Sequence, residues 1–464
     1  MDGEYDFLDD LDLASEQVDT GEHTLDAHSD DVGTRPDEAV SPAVVVFAES
    51  TADVSTVLSA ANEHEVPVTP YAAGTSLEGN PVPVEGGISL DLTRMAEVLD
   101  VRPESFQIDV QPGVMGPAIE EALAAHGLVF PPLPSSGDIS TIGGMIANDA
   151  SGMQTVKYGE ISDWVLSLEV VMADGRVITT GTRASKTSSG YNLTELLVGS
   201  EGTLGIITRA TLEVAPRPEQ IRGGRVLFST LADATNAIAD CVQSGLDMAK
   251  IELIDEQSAA MANEYLGTDL PSTPMVFLEF HANHGIDTEI EFGQSIIQVH
   301  DPMEMEIADE GKMDELWEAR KQLAFAMIAY DPELEPLHPG DVTVPIDRYS
   351  EMIEYIRSLR EEHDLLIPCF GHGGDGNVHY SVLVEIDDPE HVELGERVSK
   401  QIVERALEMD GTCTGEHGIG RGKQSYLLAE HGREAVEVMW SVKQALDPNG
   451  ILNPGKIFPK SISD

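Results

Sequence analysis

Ordered patterning begins at PAVVVFAES, where a run of valines predicts a buried strand. Just after it, Val54, Val57, Leu58 and Ala61 recur at i, i+3, i+4 and i+7 behind a Ser50/Thr51 cap, the spacing of a helix with one buried face. VPVTPY is the next strand, so the ordered chain opens as a βαβ unit and runs into AAGTSLEGN, a loop bracketed by Gly74 and Gly79. Strands at ISLDL and FQIDVQPG, a helix at PAIEEALAAHG and a hairpin in LSLEVVMADGRVITT, turned at Asp174-Gly175, follow. This is α+β texture, without the regular alternation of a doubly wound sheet. Two prolines and two glycines in APRPEQIRGG mark a boundary near residue 218. Beyond it RVLFS, the helix TLADATNAIADCVQSG and MAKIELID make a β-α-β unit of ferredoxin type. PMVFLEFH adds a strand, a long helix is expected from about Met313 to Tyr330, and DVTVP and RYSEMIEYIRSLREE form a further strand and helix. The tail predicts a helix over REAVEVMWSVKQAL, closed by Pro448 and Gly450.

Composition changes this picture in one respect. Of the 464 residues 41% are hydrophobic, enough for real cores, and the charged fraction, 24%, is ordinary. The sign is not: 83 acids stand against 27 bases, net −56. Because the acids are spread along the chain, they predict a solvated surface suited to high salt, where a Debye length of about 3 Å at 1 M screens self-repulsion; a mesophilic acidic protein is the alternative. Such a surface repels phosphate backbones, which argues against nucleic acid as a partner. Residues 1–40, with 14 acids and one base, Arg35, read as a mostly polar leader with a short helix around Phe7 to Ala14. Cys241, Cys369 and Cys413 form no CxxC pair, so a disulfide framework, zinc ribbon or iron–sulfur centre is not expected. MDGEYDFLDDLDL has no basic n-region and no twin arginine, and no run of about 18 apolar residues occurs. The expected location is cytoplasmic, with peripheral attachment at the inner membrane face left open.

Three glycine-rich segments then call for a ligand. AGTSLEGN offers several backbone N–H groups after a strand, a nest suited to a pyrophosphate or a plain turn. STIGGMIANDASGMQTVKYG is long for a loop and poor in charge, and KTSSGYNLTELLVGSEGTLGIIT ends in a β-run. Neither GxGxxG at a helix start nor GxxxxGK[ST] is present. Farther on, GHGGDGNVH places His372 and His379 seven apart, and GEHG sets Glu416 beside His417. By themselves these are metal ligands, catalytic groups or residues of a tight turn.

From about residue 40 onward, AGTSLEG, TIGGMIANDASGMQTVKYG, VGSEGTLGIIT and NPGKIF together resemble the FAD-binding oxidase family built on the vanillyl-alcohol-oxidase fold, in its D-lactate dehydrogenase and glycolate oxidase catalytic-subunit branch. The resemblance implies an α+β protein: an acidic leader over 1–40, a two-subdomain FAD-binding domain over 41–218, a ferredoxin-like α+β cap with an antiparallel sheet over 219–425, and a C-terminal helix and strip over 426–464 that returns to the flavin domain. Its cofactor residues fall on Gly74, Thr75, Ser76 and Gly79 around the pyrophosphate, on Gly143, Gly144 and Ser151 and on Glu201, Gly202 and Gly205 along the adenosine and isoalloxazine, and on Asn453. Its divalent-metal ligands, for zinc or manganese, fall on His372, His379 and Glu416. Its active-site histidine falls on His417 and its carboxylate-binding arginine on Arg320. Asp149 stands where the family usually has Asn, and PPLPSSGDIST replaces the usual PGPGA-type approach to that loop. No histidine lies in AGTSLEG, where flavinylated relatives carry one, so the FAD is expected to be non-covalent. Asp375 and Asn377 are expected to shape the turn between ligands, and His126, His281 and His284 to be packing or surface residues.

The function implied is FAD-dependent oxidation of a D-2-hydroxy acid, D-lactate first and glycolate second. His417 would serve as base, and electrons would go to a cytochrome, a quinone, an electron-transfer flavoprotein or an iron–sulfur partner. D-2-hydroxyglutarate dehydrogenase is the rival inside the family; HPGDVTVP and His379-Tyr380-Ser381 depart from that branch toward a smaller monocarboxylate. A non-catalytic FAD-binding subunit is the rival outside it, disfavoured by the complete ligand set. The transferase of alkylglycerone-phosphate synthase type is a third, and its histidine run is missing.

Overall fold

The valine run forms the strand Val44–Phe47, and the helix behind it spans Thr51–His64. Ser50 caps that helix by accepting the Asp53 N–H, and the Asp53 carboxylate accepts the Ser50 N–H in return. Val54, Val57, Leu58 and Ala61 are fully buried, as their spacing requires. The computed structural model describes residues 5–463, and the chain divides into two units: one made of residues up to Ser151, Glu160–Arg217 and the stretch from Glu416, the other of Gly152–Gly159 and Pro218–Gly415.

The first unit holds two main sheets. In one, Val44–Phe47, Ile88–Asp91 and Val68–Tyr71 run parallel, and Val18–Asp19 adds antiparallel at the edge of Val44–Phe47. In the other, Val98–Arg102, Gln107–Val110, Ile206–Glu213, Val165–Val171 and Val177–Gly181 are antiparallel in that order, with Asp174-Gly175 in the last turn. Val68 is also bridged by the C-terminal strip: its N–H donates to Ile451 O at 2.7 Å and its carbonyl accepts the Asn453 N–H at 2.9 Å. Buried Lys443 anchors that strip, donating to Thr203 O and Leu452 O at 2.8 Å each and pairing with Asp447.

The acidic leader differs from the polar segment its composition suggests. Its helix is a 3-10 turn over Asp6–Asp10; Leu8 is buried, and Phe7, Leu11 and Leu13 pack beside it on the valine core. Gln17 donates to Phe47 O at 3.1 Å, and His28 meets Asp91 at 2.9 Å. The few apolar residues among 14 acids suffice, because each lands on the existing core.

The second unit is built on a seven-stranded antiparallel sheet, in the order Glu304–Asp309, Gln220–Leu227, Met275–Ala282, Lys250–Ile254, Cys369–His372, Asn377–Val384, Glu335–Thr343. One face carries Ile254, Met275, Phe277 and Phe370 against Ala259, Ala262, Met313, Trp317, Leu323 and Met327. The long helix expected from Met313 to Tyr330 is two helices, Glu310–Lys321 and Leu323–Ala329, interrupted at Gln322. Among the described residues no helix is long and apolar enough to cross a membrane.

Candidate functional site

In the first unit, the strand Val68–Tyr71 delivers the chain into the loop of Gly74 to Gly79, and both of these glycines have positive φ, 64° and 71°. Thr75 Oγ1 lies 2.9 Å from Ser140 Oγ. The Ser76 hydroxyl and the Gly79 N–H both donate to one oxygen of Asp31, at 2.7 and 2.9 Å. Val32 and Gly33 donate their N–H groups to Gly74 O and Ser76 O, so the leader braces this loop along its length.

Thr141 caps the helix Ile142–Asn148, where Gly143 and Gly144 lie; a Cβ on Gly143 would sit 2.5 Å from Pro112 Cβ. The helix ends at Asp149 in the left-handed region, φ 50°, a conformation that Asn and Asp both reach, so the departure from the family's Asn leaves the backbone intact. Its carboxylate accepts the Ser162 N–H at 2.9 Å, and burial raises its pKa. Ser151 donates to Glu416 Oε2 at 3.1 Å, and Asn148 Nδ2 to Glu416 O at 2.6 Å.

Glu201, 6% exposed and at φ 51°, accepts from Asn80 Nδ2 at 2.7 Å and from the Ile419 and Gly420 N–H groups at 2.8 and 2.9 Å. Burial pushes its carboxyl up while these donors oppose the shift. It thus holds the chain just past GEHG. Asn453 donates to Asn80 O and Glu201 O. A Cβ on Gly202 would lie 2.4 Å from Pro70 Cγ and one on Gly205 2.6 Å from Val170, so packing alone demands glycine at both. His417 turns Nδ1 toward Glu78 Oε1 at 3.9 Å, the carboxylate oxygen that Lys423 reaches at 3.2 Å. Glu78, inside the glycine-bracketed loop, also takes the Arg421 and Gly422 N–H groups on its backbone oxygen. Asn80 Oδ1 is buried without a hydrogen-bond partner, a polar atom that suits a bound polar ligand such as a flavin nucleotide.

In the second unit, His372 ends the strand Cys369–His372 and His379 lies on Asn377–Val384. The hairpin between them brings the two rings to 5.1 Å at 90°, both buried. His372 Nδ1 meets Glu252 Oε1 at 2.7 Å across the register that pairs these residues. A carboxylate on Nδ1 makes Nε2 the atom through which a metal would be held. Glu252 has no exposure, and its other oxygen accepts the Arg320 Nε–H at 2.7 Å, with Nη2 an ion-pair contact at 2.6 Å. The guanidinium lies 4.5 Å over the Phe370 ring. Arg320 is therefore buried against a protein carboxylate, not a solvated helix arginine.

His379 Nδ1 stands 3.9 Å from Asp341, which binds Asn377 Nδ2 at 2.6 Å, Thr414 Oγ1 at 2.9 Å and the Gly415 N–H at 2.7 Å. Asp375 accepts the Asn377 N–H, so both residues shape the turn. Asn377 Oδ1 and the Tyr349 hydroxyl are buried without hydrogen-bond partners, and burial with the Glu252 charge holds the Tyr349 pKa well above the usual phenol range. Two imidazoles amid carboxylates and orphaned polar atoms fit a borderline divalent cation. His126 and His284 are exposed, while His281 is buried between Tyr158 and Glu279. Glu252 and Glu78 are the functional candidates absent from the sequence reading. The signal for Glu252 was an acid alternating with Ile251 and Leu253 in a strand short enough to be wholly buried.

The family model for the C-terminal domain of FAD linked oxidases matches residues 217–457, and that for the FAD binding domain matches 42–181. The chain is 37% identical over 423 residues to the mitochondrial D-lactate dehydrogenase (cytochrome) of Arabidopsis thaliana, covering 91% of this chain and 74% of the relative. It is 35% identical over 425 residues to glycolate oxidase subunit GlcD of Bacillus subtilis, covering 90% and 89%. In fold it is similar to 4-ethylphenol oxidase from Gulosibacter chungangensis, TM-score 0.76 at 21% identity, over 97% of this chain and 95% of that one. The flavin domain of vanillyl-alcohol-oxidase type and the α+β cap are thus both present. The chain belongs to the FAD-linked oxidase family and is an FAD-dependent oxidoreductase of the D-lactate dehydrogenase and glycolate oxidase type.

Proposed function

We propose that this protein oxidises a D-2-hydroxy acid, D-lactate first and glycolate second, to the 2-oxo acid and passes the electrons to an external carrier. The observation that carries this is the pair of buried imidazoles at 5.1 Å, one of them oriented by a carboxylate, in a chain whose relatives are named for D-lactate and glycolate. FAD, held without a covalent bond, supplies the hydride acceptor. His372, His379 and Glu416, the residue that follows Gly415 in the chain, would hold a zinc or manganese ion, whose charge lowers the cost of an alkoxide. His417, with Nδ1 turned toward Glu78, takes the hydroxyl proton at Nε2. Gly74, Thr75 and Ser76 offer the pyrophosphate backbone N–H groups, and Gly79 closes the loop around it while its own N–H and the Ser76 hydroxyl are held by Asp31.

The departures at HPGDVTVP and His379-Tyr380-Ser381 favour a monocarboxylate. An anaerobic screen of D-lactate, L-lactate, glycolate and D-2-hydroxyglutarate tests the proposal. Flavin absorbance should bleach fastest with D-lactate and far more slowly with L-lactate, without NAD. Equal rates for the two enantiomers, or no bleaching by any of the four, would overturn it.

The acidic surface carries a second expectation. With a net charge of −56, screening relieves self-repulsion, so Tm should climb from low to multi-molar KCl. A Tm indifferent to KCl would return the surface to the mesophilic reading.

A further inference from the structure

We propose that Glu252 is a positioning residue that serves both arms of the substrate site: it fixes the ring of His372 for the divalent cation and aims Arg320 at the substrate carboxylate. This rests on the metal reading given above. Glu252 lies in the middle strand of the seven, paired directly with His372 in the register, so the backbone alone brings the two side chains to the same face. Its oxygens are divided between two partners: Oε1 faces His372 Nδ1 at 2.7 Å, and Oε2 accepts the Arg320 Nε–H at 2.7 Å with Nη2 beside it as an ion pair at 2.6 Å. All three residues are at most 3% exposed. A buried carboxylate is costly unless paired, and one placed at random in a core would be selected against. Here both its oxygens are spent on groups that the site needs in one orientation.

The consequence for His372 is a fixed tautomer. With Nδ1–H donated to Glu252, the lone pair sits on Nε2, and the carboxylate raises its basicity as a ligand. The consequence for Arg320 is a fixed fork. Its Nε–H is donated to Glu252 and its plane is held over Phe370 at 4.5 Å, while buried Nη2 makes no hydrogen bond, which leaves that nitrogen as the donor for a substrate carboxylate. Loss of the Glu252 charge should therefore weaken metal and substrate binding together, an outcome that a core-filling role would not give.

The test is Glu252→Gln in the full-length holoenzyme, which keeps the shape and removes the charge. Three quantities are read: zinc or manganese content after purification, resistance of that metal to a graded chelator, and KM against kcat for D-lactate. Metal affinity should fall roughly 10- to 100-fold, KM should rise, and excess metal should restore part of the activity, with FAD content unchanged. If E252Q does not fold, Glu252→Asp decides the same question, since it keeps the charge but withdraws it from both partners; weakened metal retention is expected there too. Wild-type protein that holds metal while the folded variant resists chelator equally well would overturn this inference alone. Wild-type protein that neither holds nor responds to divalent metal would overturn it together with the metal reading.

Discussion

Replacing His417 by alanine should lower turnover by roughly 10²- to 10⁴-fold, the usual scale for a lost general base, and leave FAD and metal bound. Replacing its neighbour Glu416 by alanine should instead remove metal and turnover together, with partial recovery in excess metal. Adjacent residues can fail so differently because, beside the Ser151 bond to Glu416 Oε2, the segment is held through its backbone. Asn148 binds the Glu416 backbone oxygen at 2.6 Å, and Glu201 takes the N–H groups of Ile419 and Gly420 at 2.8 and 2.9 Å. The loop is thus pinned on both sides of the pair by bonds that survive either substitution. Metal analysis of both variants beside dye-reduction rates checks the split. Full metal and near-normal rates in both would make GHGGDGNVH and GEHG structural turns and leave the non-catalytic subunit as the better account.

Gly33→Ala should strip flavin from the protein although residue 33 lies in the leader. A Cβ built there comes within 2.0 Å of Leu77 O and 2.6 Å of Leu77 Cα, and a backbone cannot yield as a flexible side chain would. The loop from Gly74 to Gly79 must shift, at a cost of about 1–3 kcal/mol. Asp31→Ala attacks the same brace from another side: it leaves the part-buried Ser76 hydroxyl and the buried Gly79 N–H without their acceptor, about 1–3 kcal/mol for the latter. The ratio of flavin to protein absorbance after gel filtration measures the effect. Both variants retaining a full complement of FAD would show that the brace and the flavin loop are independent.

That brace marks where the sequence stopped being informative. The opening βαβ unit was legible because Ser50 and the spacing of Val54, Val57, Leu58 and Ala61 are local signals, and so was the hairpin at Asp174-Gly175, where Gly175 takes φ 81°. The leader was not: Leu8, Phe7 and Asp31 find partners in residues far along the chain, and 14 acids in 40 residues hide them. The helix Pro389–Glu408 also escaped notice, since its charged face dominates its composition. Of the candidate site, the histidines and Glu416 were visible as motifs. Arg320 was visible too, but its bond to Glu252 was not, because it joins a helix to a strand 68 residues away, which no local pattern shows.

The C-terminal strip that bridges Val68 has a bearing on how the protein is made. Val68 and Leu452 are separated by roughly 400 residues, which a ribosome adding about 5–20 residues per second takes tens of seconds to supply. Through that interval the Val68 edge stands unpaired on the nascent chain, open to chaperones and to other strands. Asn453, which ties Asn80 to Glu201 beside the Gly74–Gly79 loop, arrives at the same late moment. The Val68 edge and the Asn80–Glu201 tie are therefore completed only once the segment around Leu452 and Asn453 has been made.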